Sequence, residues 1–109
     1  MSSELATKIF RMQGQPPYGF PVQLSEDVIP DPETREPMTV YYLLFKNSLY
    51  QRLAKNRQKL VHVARWLKDT HDAMRNMGLR VIIQPIFDDY DGLTPDSAAY
   101  KKQIIIDKR

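Results

Sequence analysis

Residues 47–78 read NSLYQRLAKNRQKLVHVARWLKDTHDAMRNMG. Asn47 is of a type favoured at helix N-caps, Gly78 is of the type favoured just beyond a helix end, and neither Pro nor Gly lies between them. These signals predict one long helix over about residues 48–77, roughly 45 Å in length at about 1.5 Å per residue. We expect the shorter segments on either side to be organised around this helix.

A helix through this segment gathers apolar residues on one side. When successive residues are placed about 100° apart, one set of side chains falls within about 60° of a single line. The set consists of Leu49, Leu53, Leu60, Ala64, Leu67, His71 and Met74. This stripe is predicted to face the sheet, and its histidine is expected to be a hydrogen-bonded interior residue.

The same segment concentrates positive charge. The chain carries a net charge of +3 with 16 Lys and Arg residues, and seven of these lie between Asn47 and Gly78. One sector of the helix combines cations with an aromatic residue, as a surface for phosphate contacts and base stacking does. That sector contains Arg52, Lys55, Lys59, His62 and Trp66. In the structural alternative, Lys and Arg stems cover core edges with their charges in water, and the indole caps the core rim or fills a dimer contact.

Apolar strands flank the helix. The strongest is Thr39–Phe45, TVYYLLF, whose continuous β-branched and aromatic run predicts a central strand covered on both faces. We expect the helix to cover one face, and either the N-terminal loop or a second subunit to cover the other. The other predicted strands are Leu5–Met12, Val22–Glu26, Leu79–Phe87 and Tyr100–Asp107, the third of which contains Pro85 at an edge or bulge.

Together these elements predict a single small α+β domain over residues 1–109. Its element order is β-β-β-α-β-β, with a mostly antiparallel sheet covered by the one long helix. Proline-rich loops are expected at residues 13–21 and 30–37. In the first loop, Tyr18 and Phe20 are expected to fold back over one end of the core.

Several kinds of chemistry find no support in the sequence. The chain has no cysteine, which excludes disulfides, thiol catalysis and thiolate metal sites. His62 and His71 are nine residues apart and would point in opposite directions on one helix, so they would not share a metal. The acidic run after residue 87 does not have the ligand spacing of an EF-hand, although a weaker magnesium site from Asp88, Asp89 and Asp91 stays open. We therefore predict a protein that is not an enzyme, with no catalytic residues and no cofactor.

The leading functional prediction is a non-catalytic binding or accessory protein that acts through protein–protein contacts and self-associates. It depends on the two-sided cover of the strand around Tyr42, on a helix that is long for so small a core, and on an apolar C-terminal edge strand formed by Ile104, Ile105 and Ile106. The alternative is binding of a DNA or RNA backbone through the basic face of the helix. No apolar run is long enough to span a membrane, and residues 1–12 do not have the pattern expected of a secretory leader, so we expect a cytoplasmic protein without a membrane partner.

Overall fold

A computed structural model describes residues 2–87 and 103–108 of the chain. Within these ranges the domain combines α-helices with one mixed β-sheet, which confirms the predicted α+β class. The elements in chain order are α1 (Ser2–Met12), β1 (Val22–Pro30), β2 (Pro37–Lys46), α2 (Asn47–Leu53), α3 (Arg57–Asn76), β3 (Val81–Ile86) and β4 (Gln103–Lys108), with a short 3-10 turn at Pro17–Gly19.

The four strands are arranged in the order β3-β2-β1-β4. β1 and β2 form an antiparallel hairpin, and β4 runs antiparallel to β1 with a register irregularity between Leu24 and Ser25. β3 runs parallel to β2, with Tyr41 opposite Val81. A parallel neighbour requires a crossover connection, and α2 and α3 supply it. The sheet is therefore mixed, since one of its described pairings is parallel.

The prediction of one long helix over residues 48–77 is wrong, because the helix breaks between α2 and α3. Asn56 has an extended backbone (φ −111°, ψ 100°) and its side chain accepts the backbone N–H of Lys59 at 3.2 Å. Asparagine competes in this way for backbone donors, which makes it a good N-cap and a poor interior helical residue. Asn56 therefore starts a new helix in a segment that contains no Pro or Gly.

The break also shifts the buried side of the helix. The residues that α3 buries are Val63, Leu67, Thr70 and Met74. Leu67 and Met74 belong to the predicted stripe, but Leu60, Ala64 and His71 are only half-buried. The predicted stripe is defined from Leu49 through one continuous helix, and the break at Asn56 removes that reference for α3.

The N-terminal segment is a helix, so the strand predicted at Leu5–Met12 is also wrong. Its buried side chains, Ala6, Ile9 and Phe10, recur with spacings of three and four residues, as on one face of a helix. The observed order from the N-terminus is therefore α-β-β-α-α-β-β.

The core lies on both faces of β2. Tyr41, Leu43 and Phe45 pack with α1 and α3, whereas the alternate residues Val40, Tyr42 and Leu44 form a second buried cluster on the opposite face. Phe20 belongs to the helix-side cluster and is only 5% exposed. The prediction that it covers the core is confirmed, but Tyr18 is 52% exposed and does not join the core.

Candidate functional site

The α2–α3 break lies in the most basic part of the chain. Residues 37–68 contain no Asp or Glu, and every Lys and Arg among them is exposed. These cations are Lys46, Arg52, Lys55, Arg57, Lys59, Arg65 and Lys68. In the part of the chain that the structure describes, only the last of them pairs with a carboxylate, that of Asp72 at 3.0 Å. We call the exposed residues Arg52, Lys55 and Lys59, which lie within four residues of Asn56 along the chain, the basic surface.

The exposed Tyr18 side chain reaches this surface from the proline-rich loop. Its hydroxyl hydrogen-bonds Nδ1 of His62 at 2.5 Å, and the Lys59 ammonium lies 5.2 Å from the centre of its ring. A cation at that distance is attracted by the π-electrons of the ring. The structure thus brings together two predicted site residues, Lys59 and His62, and adds an aromatic side chain that the sequence analysis placed in the core.

The proline-rich loop exposes Tyr18 because the residues two positions before and after it are buried in the protein. Pro16 and Phe20 are buried on either side. Tyr18 itself has left-handed backbone angles (φ 59°, ψ 24°), and Gly19 follows with φ 64°. A left-handed conformation costs a residue with a side chain about 1–2 kcal/mol. The loop therefore keeps an exposed aromatic residue in an unfavourable conformation, and such strain is common at functional sites.

The Tyr18 and His62 rings lie side by side. Their planes differ by 10° and their centres are 5.8 Å apart. The hydroxyl and Nδ1 are 2.5 Å apart, so the two nearly parallel planes cannot be offset by the roughly 3.5 Å that separates stacked atoms. The two rings therefore lie side by side and nearly parallel without overlapping, and we call this pair the Tyr18–His62 platform.

Trp66 has a different role from the other predicted site residues. Its Nε1–H donates to the carbonyl oxygen of Gln13 at 3.1 Å, and its ring meets the edge of Phe10 at 5.9 Å with an interplanar angle of 77°. The indole is half-buried against the helix-side core. It therefore links α3 to α1 and to the start of the proline-rich loop, as in the structural alternative.

The described carboxylates near α3 lie at the opposite end of the helix. The hydrogen bond from Lys68, followed by that from His71, lowers the pKa of Asp72. At the β1–β2 turn, backbone N–H groups donate to Asp31 and lower the pKa of its carboxyl group, to which Arg80 contributes more weakly from 3.8 Å. The carboxylates of Asp72 and Asp31 therefore interact with Lys68, His71 and Arg80. Within the described residues, the basic surface has no carboxylate partner.

The residues predicted to form an oligomer contact are separated by the fold. Tyr42 lies on the inner strand β2, is 9% exposed, and has its pKa raised by burial and then by the nearby negative charge of Asp27. Ile104, Ile105 and Ile106 lie in β4, at the end of the strand order. The use of that strand by a partner stays a prediction.

No cluster of three or more potential metal ligands occurs within residues 2–87 and 103–108. The open magnesium alternative at Asp88, Asp89 and Asp91 falls outside the described residues. None of the described helices is both long and apolar enough to cross a lipid bilayer.

Comparisons with protein-family models, curated proteins and solved structures returned no significant match.

Proposed function

We propose that this protein is a non-catalytic binding protein whose basic surface binds the phosphate backbone of a nucleic acid. The observation that carries the proposal is the exposure of Arg52, Lys55 and Lys59 in a segment without acidic residues, with no carboxylate partner among the described residues. Unpaired cations can replace the counterions that a nucleic acid holds, and the release of those counterions favours binding. The first turn of α3 contains no acidic side chain that would oppose an approaching phosphate.

Two sequence features that favoured a protein partner carry less weight with the fold known. Val40, Tyr42 and Leu44 are buried within the isolated chain, so covering both faces of β2 does not require a second subunit. The helix is divided into two shorter ones, so the argument from the length of a single helix no longer applies.

Among the described strands β3 lies at one end of the sheet, and its outer edge is a poor template for another strand. The N–H of Tyr41 donates to the carbonyl of Arg80 at 2.7 Å, and in a parallel ladder this directs the backbone groups of Val81, Ile83 and Pro85 away from β2. Proline has no N–H to offer there, and its carbonyl already accepts the side-chain amide of Gln84 at 3.1 Å. Natural sheets use such residues to discourage pairing at their edges.

Fluorescence anisotropy of labelled 20-nucleotide DNA and RNA, measured over a salt series, tests nucleic-acid binding. We expect the logarithm of the association constant to fall linearly with the logarithm of salt concentration. Lys55→Glu should weaken binding and reduce the slope by about one, since one phosphate contact is lost.

The matched control is Arg35→Glu, which changes the net charge equally. Arg35 lies in the β1–β2 turn, at the other end of the ten-residue strand β2, roughly 30 Å along the strand from α2. It should leave binding nearly unchanged. Equal losses in the two variants, or no loss in either, would contradict a localised binding surface.

Self-association through β4 is the second candidate function. The observation that favours it is the position of β4 at the end of the strand order, since an outer strand can pair with another copy. Light scattering after nuclease treatment tests it over a wide range of protein concentrations. A mass that stays that of one chain at every concentration contradicts self-association, and a nuclease-sensitive larger mass assigns the assembly to bound nucleic acid.

A further inference from the structure

Resting on the proposed nucleic-acid binding, we infer that the Tyr18–His62 platform stacks against an unpaired base, so that the partner is a single strand and not a duplex. The platform combines two nearly parallel rings, whose planes differ by 10°, and about half of the Tyr18 side chain is open to solvent. A nucleobase is a flat aromatic group, and stacking on an aromatic side chain is the main way that proteins hold unpaired bases.

The position of the platform beside a cation supports a nucleotide over other flat ligands. Lys59 lies within 5.2 Å of the Tyr18 ring centre, and Lys55 precedes it across the Asn56 cap. A nucleotide carries a flat base and an anionic phosphate on one sugar, so both parts of the site find a complementary group. In a duplex the bases are already stacked and paired, and only the phosphates would be available to the lysines.

The backbone of the loop provides an independent reason. Tyr18 adopts φ 59°, yet its ring fills no core position, whereas its neighbours Pro16 and Phe20 are buried. Asparagine or glycine at this position would satisfy the same backbone at a lower conformational cost. The conformation presents the aromatic ring beside His62, where one of its faces can meet a base.

The test compares single-stranded and duplex probes on the full chain. Oligo(dT) and oligo(U) of 20 nucleotides serve as the single strands, and a 20-base-pair DNA as the duplex. Tyr18→Ala should lower the affinity for the single strands by roughly 5-fold to 100-fold, and change duplex affinity by less than about two-fold. Tyr18→Phe retains the ring and should keep most of the single-strand affinity.

Each outcome assigns its cause. Failure of the wild-type protein to bind any probe contradicts the proposed function together with the platform. The platform alone is overturned if Lys55→Glu weakens binding but Tyr18→Ala leaves it unchanged. It is also overturned if Tyr18→Ala weakens binding to the duplex and to the single strands equally.

His62→Ala keeps the inference testable if Tyr18→Ala does not fold. It removes the smaller ring of the platform from an exposed position on α3, and should reduce single-strand affinity in the same direction by about two-fold to five-fold. Circular dichroism and the thermal unfolding midpoint establish that each variant is folded before binding is compared. A folded His62→Ala variant with unchanged affinity for both single strands contradicts the platform.

Discussion

Replacing Trp66 by Phe separates a structural aromatic residue from a binding one. The substitution removes the Nε1–H that donates to Gln13 and shortens the ring that packs on the edge of Phe10. A hydrogen bond of this kind contributes about 1 kcal/mol net, and part of an aromatic edge contact contributes up to about another 1 kcal/mol. We therefore expect the free energy of unfolding to fall by about 2 kcal/mol.

The expected change is large enough to measure in two ways. An unfolding entropy of about 2.1 cal/mol/K per residue, over 109 residues, converts 2 kcal/mol into a decrease of about 9 °C in the thermal midpoint. Urea unfolding followed by circular dichroism gives the free energy directly, and does not need the tryptophan as a probe. Under folded conditions, we expect the affinity for a single-stranded oligonucleotide to stay within about two-fold of wild type, because the half-buried indole donates to Gln13 and packs on Phe10.

Tyr18→Ala is the reciprocal variant. Its side chain is half exposed and outside the core clusters, so stability should change little while single-strand affinity falls. The opposite pattern would refute the reasoning: a Trp66→Phe protein with wild-type stability but strongly weakened oligonucleotide binding would make Trp66 the stacking residue.

Three further predictions concern the caps and the turn. Asn56→Ala should lower the free energy of unfolding by about 1 kcal/mol, because the Lys59 N–H loses its acceptor. Asn56→Ser should retain most of the stability, since serine also caps helices. Equal urea midpoints for wild type and both variants would contradict the cap. Gly78→Ala should cost about 1 kcal/mol through its φ of +82° alone, since an added Cβ meets no atom within 4 Å, and Gly78→Asn should lose less in the same urea assay. Asp31→Asn should lower the urea midpoint at pH 7. Because folding lowers the pKa of this carboxyl group, the ionised form stabilises the protein above the unfolded pKa of about 3.9, and this stabilisation is lost as the pH falls through the folded pKa. The difference in urea midpoint between Asp31→Asn and wild type should therefore shrink in acid. A difference that stays the same in acid would contradict stabilisation by the ionised carboxylate.

The strands of the sheet were predictable because their signals are local. The continuous apolar run around Tyr41 and Leu43 indicates a strand buried on two faces, and β2 buries alternate residues on both. Pro85 indicates an edge or bulge through its missing donor, and it lies in the end strand β3. Gly78 has the left-handed angles that end a helix.

The helices were less predictable because their boundaries depend on competing hydrogen bonds. Asn56 lies among strong helix formers, and nothing in its neighbours shows that its side chain captures the Lys59 N–H and restarts the helix. A stripe that starts at Leu49 and assumes a continuous helix therefore places Leu60 and His71 inside and leaves out Thr70. At the N-terminus, two adjacent apolar residues, Ile9 and Phe10, fit a short strand as well as one helical face.

The basic surface was predictable from charge, but its aromatic partner was not. Tyr18 and His62 are 44 residues apart, and only the fold brings them together. A local signal existed in Pro17-Tyr18-Gly19: proline fixes one backbone angle and glycine tolerates a left-handed turn, which favours an outward residue between them. A tryptophan on a basic helix is equally ambiguous in sequence, because its polar N–H suits either a ligand or the rim of a core.

Charge and stacking respond differently to salt, and this separates the two parts of the proposed site. At about 1 M salt the screening length falls to about 3 Å, so the contribution of the exposed Lys55 ammonium largely disappears. Stacking on Tyr18 involves contact between flat surfaces and persists under the same conditions. The affinity ratio of Lys55→Glu to wild type should therefore approach one as salt rises, while the ratio for Tyr18→Ala stays nearly constant. If both ratios approach one together, the affinity arises from charge alone, and the strained turn at Tyr18 needs another explanation.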